Sequence, residues 1–196
     1  MSVTSGSAPG RMSAQRADAL YETVLDLVRA RGYESLTMDA VAHRAHVSKA
    51  TLYRQWGGKA GLVARALRHG KPSPSACGDT GSLRGDLEAL VDHYEESKTE
   101  EQTALWRSLI HVAHTNPEFM HALRDLLIEP ENDVLRLILR RAVARGEVAA
   151  DNPAIDYLAH MMIGGVIARE LVEDHAVDRA FLRSYVRSVI LPALGL

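Results

Sequence analysis

Residues 36–63 read LTMDAVAHRAHVSKATLYRQWGGKAGLV, and this stretch decides the fold. Thr37 is a helix N-cap, and Asp39 stands in the first turn, where a carboxylate suits the helix dipole. The short helix so opened holds Val41 and Ala42 and runs to Ala45. Ser48 offers the next N-cap. The helix it starts, Lys49 to about Gln55, ends at Gly57 and Gly58. Two short helices joined by a tight turn fit a helix-turn-helix, whose second helix must be short enough to lie in a major groove. The outward face of that helix carries the small and polar groups Lys49, Ala50, Thr51 and Gln55, and Leu52 anchors the inward face. Ser48 and Lys49 stand at its N-terminus, where free backbone N–H groups already favour phosphate. His46 lies at the turn. His is among the non-glycine residues enriched at positive φ, so this residue is read as a backbone requirement in preference to a base or phosphate contact.

Upstream, Leu20, Val24 and Val28 recur every fourth residue with Tyr21 and Leu25 beside them, which predicts a helix over residues 13–31. Arg31 and Gly32 supply its cationic last turn and C′ glycine. Residues 1–12 are rich in Ser, Gly and Ala and read as a disordered tail. Downstream, Leu62, Val63, Ala66 and Leu67 mark a helix from about Lys59 to His69. Residues 70–82, GKPSPSACGDTGS, break the pattern and form a linker over 71–82. Beyond it every segment reads as helix. Leu83, Leu87, Leu90, Val91 and Tyr94 make one stripe, and Leu105, Trp106, Leu109, Ile110 and Ala113 another. Asn116 and Pro117 open a longer segment that Pro130 must kink or restart, because proline has no N–H to donate. Asn152-Pro153 and Asp178 open the last two helices. The expected fold is all-α with nine or ten helices: a helix-turn-helix domain over residues 13–70 and a larger helical domain over 83–196.

Composition agrees. Hydrophobic residues make up 46% of the 196 and charged residues 24%, ordinary for a chain that buries a core. Phe and Trp number only 2 each, few for a β-sandwich or barrel. The longest run free of Asp, Glu, Lys and Arg, Tyr157 to Ala168, falls short of the roughly 20 residues that cross a bilayer as a helix. The N-terminus lacks the apolar region of a signal peptide, and a single cysteine, Cys77, excludes an intramolecular disulfide and a cysteine-based zinc site. The expected location is cytoplasmic. The net charge of −2 hides an asymmetry. Residues 11–70 hold 10 Lys and Arg against 5 Asp and Glu, while the remainder is acidic. A basic first third on an acidic body points to a polyanion partner.

The stretch 36–63 resembles the helix-turn-helix of TetR-type transcriptional regulators. The resemblance rests on Thr37, Val41-Ala42, Ala45-His46-Val47-Ser48, Thr51-Leu52-Tyr53, Trp56 and Lys59. The chain departs from the pattern in having His46 for Gly, Ala50 for a frequent Gly, and Gly57-Gly58 for the usual Pro-Ser or similar pair. The match covers about residues 13–70. It implies that Thr37 and Lys59 bind phosphates at two helix starts, that Ser48, Tyr53 and Gln55 add backbone contacts, and that Lys49, Ala50 and Thr51 face base edges. A lysine donates to guanine O6 and N7, and a Thr or Ala methyl touches the thymine methyl. Arg54 either contacts phosphate or is solvated, and Trp56 reads as core, because duplex DNA leaves no exposed base to stack on.

The resemblance further implies that the C-terminal body binds an effector and dimerises. Trp106, Ile110, Phe119, Met120, Leu123, Tyr157, Met161 and Met162 are the candidate pocket lining, with ordinary core as the alternative for each. Gly164 and Gly165, with Ala168 nearby, would let a helix approach a second protomer closely, or else pack against their own core. His111 and His114 lie three apart, but without cysteine or a fixed carboxylate partner they read as solvated or hydrogen-bonded rather than metal ligands. Neither a metal nor a cofactor is called for, and no catalytic signature appears, so an enzyme is not expected. The reading is therefore a ligand-responsive DNA-binding regulator. In this reading it is a homodimeric repressor released from a palindromic double-stranded operator by a small-molecule effector, with no membrane partner. The alternative is an all-helical interaction scaffold without sequence-specific DNA binding.

Overall fold

Leu20, Val24, Leu27 and Val28 lie on one face of the first helix, and that face is buried. In the computed structural model, which describes residues 12–69, 78–93 and 100–196, this helix is α1, Ala14–Ser35. Its regular dihedrals stop at Gly32 (φ 76°), where the sequence places the C′ glycine. Helices α2 (Met38–Arg44), α3 (Lys49–Trp56) and α4 (Lys59–Arg68) follow. After the linker come α5 (Leu83–Asp92), α6 (Glu100–Thr115), α7 (Pro117–Leu123), α8 (Glu129–Ala144), α9 (Leu158–Glu173), α10 (Arg179–Tyr185) and the single turn α11 (Leu191–Ala193). A π-turn, Arg124–Ile128, joins α7 to α8, and another, Val186–Ile190, joins α10 to α11. With these joined helices taken as continuous, nine helices stand among the described residues, which include no strand. Pro130 falls in the first turn of α8, just after the π-turn, where a helix has no use for its missing N–H. The expected linker lies largely outside the described residues, as do Tyr94 and Cys77, and the side chain of Trp106 is also outside them.

The chain divides into two compact units. The first gathers α1 to α4 with Ser108–Leu126, and the second holds the remainder of the described chain. The helix-turn-helix unit thus takes in α7 and the end of α6, a partnership that no local pattern in 13–70 announces. In this unit α4 buries Ala60, Leu62, Val63, Ala64, Ala66 and Leu67. That makes it the hub, packed on α1, α3 and α7. Phe119 of α7 is fully buried, its ring 4.4 Å from that of Tyr33.

The second unit is built around Leu83 and Leu87 of α5, Ile138 and Ala142 of α8, Leu158 of α9, and Val186, Ile190 and Leu191 near the C-terminus. An ionic strap closes the start of α5. Asp86 is 0% exposed and accepts from the Thr80 backbone N–H (2.8 Å), the Thr80 hydroxyl (2.7 Å) and Arg145 (3.4 Å). Glu147 accepts from the Leu83 N–H at 2.7 Å and from Arg145 Nε. Burial alone would raise the Asp86 carboxyl, but the Thr80 hydrogen bonds and the Arg145 guanidinium outweigh it and hold it below the usual range. Burial likewise opposes the shift at Glu147, and the Leu83 N–H and Arg145 bring it down.

Candidate nucleic-acid interface

Each of the two short helices is started by a hydroxyl. Thr37 Oγ1 accepts from the Ala40 N–H at 3.1 Å, and Ser48 Oγ accepts from the Thr51 N–H at 3.2 Å. Both capping residues are exposed. Capping uses an oxygen lone pair and leaves the Thr37 hydroxyl proton to be donated outward. The Ser48 and Thr51 hydroxyls are paired at 2.8 Å, which fixes the Thr51 rotamer on the recognition helix α3.

Between the helices, His46 has φ 53°. Its N–H reaches His43 O at 3.4 Å, and the Val47 N–H donates to Ala42 O at 3.0 Å. This is a left-handed C-cap in which His occupies the position glycine usually takes. The backbone requirement read at His46 is met.

Helix α3 is held from beneath by Leu52, fully buried, and by Trp56. The Trp56 indole N–H donates to the Tyr21 hydroxyl at 3.0 Å, and the two rings meet edge to face, 6.1 Å apart at 87°. Trp56 is core, as expected. At the far end, Gly61 of α4 sits under the last carbonyl of α3. A Cβ at residue 61 would lie 2.3 Å from Trp56 O, so only glycine permits this approach. Lys49, Ala50, Tyr53 and Arg54 are exposed, and Thr51 and Gln55 half-buried.

Two lysines have partners the sequence did not announce. Lys49 is clasped by Asp39 on α2, at 2.8 and 2.9 Å from its two oxygens. The hydrogen bond and charge of Asp39 push the Lys49 pKa up. The resemblance assigns Lys59 to a phosphate. In the structure its ammonium donates to Tyr33 O (3.1 Å) and Glu34 O (3.4 Å) and stands 4.3 Å above the Tyr33 ring. Lys59 therefore closes the carbonyl end of α1, with one of its three N–H donors in excess of those two bonds. Burial first, then the charges of Glu118 and Glu34, push the Tyr33 hydroxyl far above its ordinary range, so it stays protonated under the lysine.

These elements match known sequences over most of their length. The description "Bacterial regulatory proteins, tetR family" fits residues 20–66, and "Tetracyclin repressor-like, C-terminal domain" fits residues 77–189. The chain belongs to the TetR family. It is 31% identical over 179 residues to an HTH-type transcriptional regulator of Mycobacterium bovis, covering 91% of this chain and 88% of the relative. It is 32% identical over 178 residues to the DNA-binding transcriptional repressor TetR of Mycobacteroides abscessus, covering 90% and 92%. The crystal structure of the TetR family transcription regulator SCO0332 superimposes with a TM-score of 0.69 at 29% identity, over 94% of this chain and all of that one. Family membership makes the protein a DNA-binding transcriptional regulator.

The residues gathered by sequence as one pocket lining divide between the units. Ile110, Phe119, Met120 and Leu123 belong to the first, and Tyr157, Met161 and Met162 to the second. Phe119 is packed core, and Tyr157 is 60% exposed. Met161 and Met162 are half-buried against the second unit's core. Gly165 is buried, and a Cβ there would lie 2.6 Å from Tyr185 of the same chain. It therefore serves its own protomer, whereas Gly164 and Ala168 are exposed. The sequence reading missed an apolar row beside them, Ile163, Ile167 and Leu171, all exposed; their i, i+4, i+8 spacing was the available signal. His111 is exposed, and His114 Nδ1 lies 2.8 Å from the Ile110 carbonyl. Among the described residues no group of three His, Cys, Asp or Glu is placed to hold a metal, and no helix is long and apolar enough to cross a membrane.

Proposed function

We propose that the protein is a homodimeric repressor whose two α3 helices read a palindromic operator, and that a small, mostly apolar effector releases it. The observation that carries the DNA reading is α3 itself. It is a two-turn helix clamped by Leu52 and by the Trp56–Tyr21 hydrogen bond, with Lys49, Ala50, Tyr53 and Arg54 turned outward beside the hydroxyls of Thr37 and Ser48. Thr37, Ser48, Tyr53 and Gln55 would position the backbone, and Lys49, Ala50 and Thr51 would meet base edges.

One such helix reads few base pairs, so specificity calls for two half-sites. The row Ile163, Ile167 and Leu171, with Val172 beside it, supports pairing through α9, since Leu171 is 82% and Val172 78% exposed. Gly164 and Ala168 permit close approach along the same helix. The effector site is placed in the second unit, beside the half-buried Met161 and Met162, whose flexible thioethers suit an adaptable apolar pocket.

The test is retention of random duplexes by the purified protein, with sequencing of the retained fraction and sedimentation in parallel. A two-fold symmetric motif and a mass of twice the monomer are expected, and Leu171→Glu should yield monomers with weakened operator binding. Retention of asymmetric single sites by a monomer would overturn the dimeric reading.

A further inference from the structure

On the first unit, a cleft of about 210 Å³ opens between the first turns of α1 and the turn that leads into α3. It is lined by Arg16, Ala19, Leu20 and Thr23 on one side and by Arg44, Ala45 and Val47 on the other. Both arginines are exposed. Neither makes an ion pair or side-chain hydrogen bond within the described residues, unlike Arg29 near the other end of α1, which is paired with Asp26. No acidic residue lines the cleft. The nearby acid of α1, Asp18, is turned to His69 at 3.4 Å.

We propose that Arg16 and Arg44 form a second anion site, a clamp for a backbone phosphate of the operator duplex, separate from the cap hydroxyls and from Lys59. Two observations carry this. The first is chemical: Arg16 and Arg44 line one small cleft that has no carboxylate in its lining, and the guanidinium fork matches phosphate oxygens bidentately. The second is positional. The cleft ends at Val47, next to Ser48, the cap of the recognition helix. A helix entering a major groove has phosphates on either wall, so the turn preceding its N-terminus meets the backbone that forms one wall. Arg44 also sits in the last turn of α2, where a cation is favoured by the helix dipole. That accounts for a positive charge at residue 44 but not for Arg16 across from it. Such a clamp carries no sequence information. It sets how deep and at what angle α3 lies.

The inference rests on the DNA-binding reading, and the experiment separates the two. Wild type, Arg16→Gln, Arg44→Gln, the double variant and Arg140→Gln, an exposed arginine of the second unit, are titrated as full chains by fluorescence anisotropy. The probes are a random-sequence duplex and a duplex enriched by retention, each at several salt concentrations. Each clamp variant should lower the slope of log affinity against log salt by up to about 0.9 per protomer per lost contact. Preference for the enriched duplex should be unchanged, and Arg140→Gln should match wild type. Thermal unfolding of each variant reports folding. Wild-type binding with slopes unchanged in both single variants and in the double overturns the clamp while leaving the regulator reading intact. Clamp variants that shift base preference without changing slope overturn it as well. Failure of the wild type to bind any duplex overturns both.

Discussion

Replacing Lys59 by methionine separates two duties that one side chain performs. The methionine keeps an apolar stem over Tyr33 but loses the ammonium that donates to Tyr33 O at 3.1 Å and Glu34 O at 3.4 Å. A charge-assisted hydrogen bond contributes about 1.5–3 kcal/mol when well shielded. This site is only partly buried and the second bond is long, so the lower end applies to the pair together. The cation over the Tyr33 ring at 4.3 Å adds about 0.5 kcal/mol at a half-exposed position. The expected loss is therefore about 1–2 kcal/mol, which for a unit of this size lowers the unfolding midpoint by roughly 5–10 °C. The donor left over by the two carbonyls is the one available to a phosphate, so the salt slope of duplex binding should also fall by about 0.9 per protomer, with base preference unchanged. Calorimetry and anisotropy titrations on the same preparation read both effects. An unmoved unfolding midpoint would refute the reasoning that Lys59 holds the end of α1. A full slope with altered base preference would refute its positioning role on DNA.

Three further outcomes are expected. Thr51→Val removes the hydroxyl pair with Ser48 while leaving the Ser48 cap on residue 51; preference at one operator position should change by about 1–3 kcal/mol in a competition assay, with the salt slope unchanged. Asp39→Asn frees Lys49 from its partner, so binding to a random duplex should strengthen and its salt slope steepen. Asp86 and Glu147 have carboxyls held below their ordinary range. Their stabilisation is complete above the unfolded-state carboxylate range near pH 4 and is lost as pH falls through the lower folded values. Acid titration followed by circular dichroism should show this loss, and Asp86→Ala should cost about 1–3 kcal/mol at neutral pH by leaving the Thr80 N–H and hydroxyl without their buried acceptor, while Arg145 keeps Glu147 and Asp79.

The helix-turn-helix was legible because its signals are local. Thr37 and Ser48 are caps read from residue type, Gly32 and Gly57 end helices by their backbone, and Leu52 marks an inward face by periodicity alone. His46 was legible for the same reason, since its positive φ is a property of one residue. Lys59 was legible as a helix start but not as a cap for α1, because its acceptors are backbone carbonyls that leave no trace in residue identity. The Asp39–Lys49 pair spans a turn whose geometry had to be known first. The membership of α7 in the first unit depends on its packing against α4 and on Phe119 meeting Tyr33, contacts between residues far apart in sequence that no local period encodes. Gly165 was ambiguous for a related reason: a small residue admits a close neighbour without specifying whether that neighbour is Tyr185 or a second chain.

The contact between Gly61 and the last carbonyl of α3 has a consequence for how a signal is expressed. With no room for even one carbon between them, α3 and α4 are expected to move together. In the proposed repressor, an effector would then change where the two α3 helices of a dimer stand rather than what each one recognises. The effector-bound protein should then lose affinity for its operator while ranking half-site sequences in the same order as the free protein. Its output would be a change in spacing tolerance, with the alphabet it reads left intact.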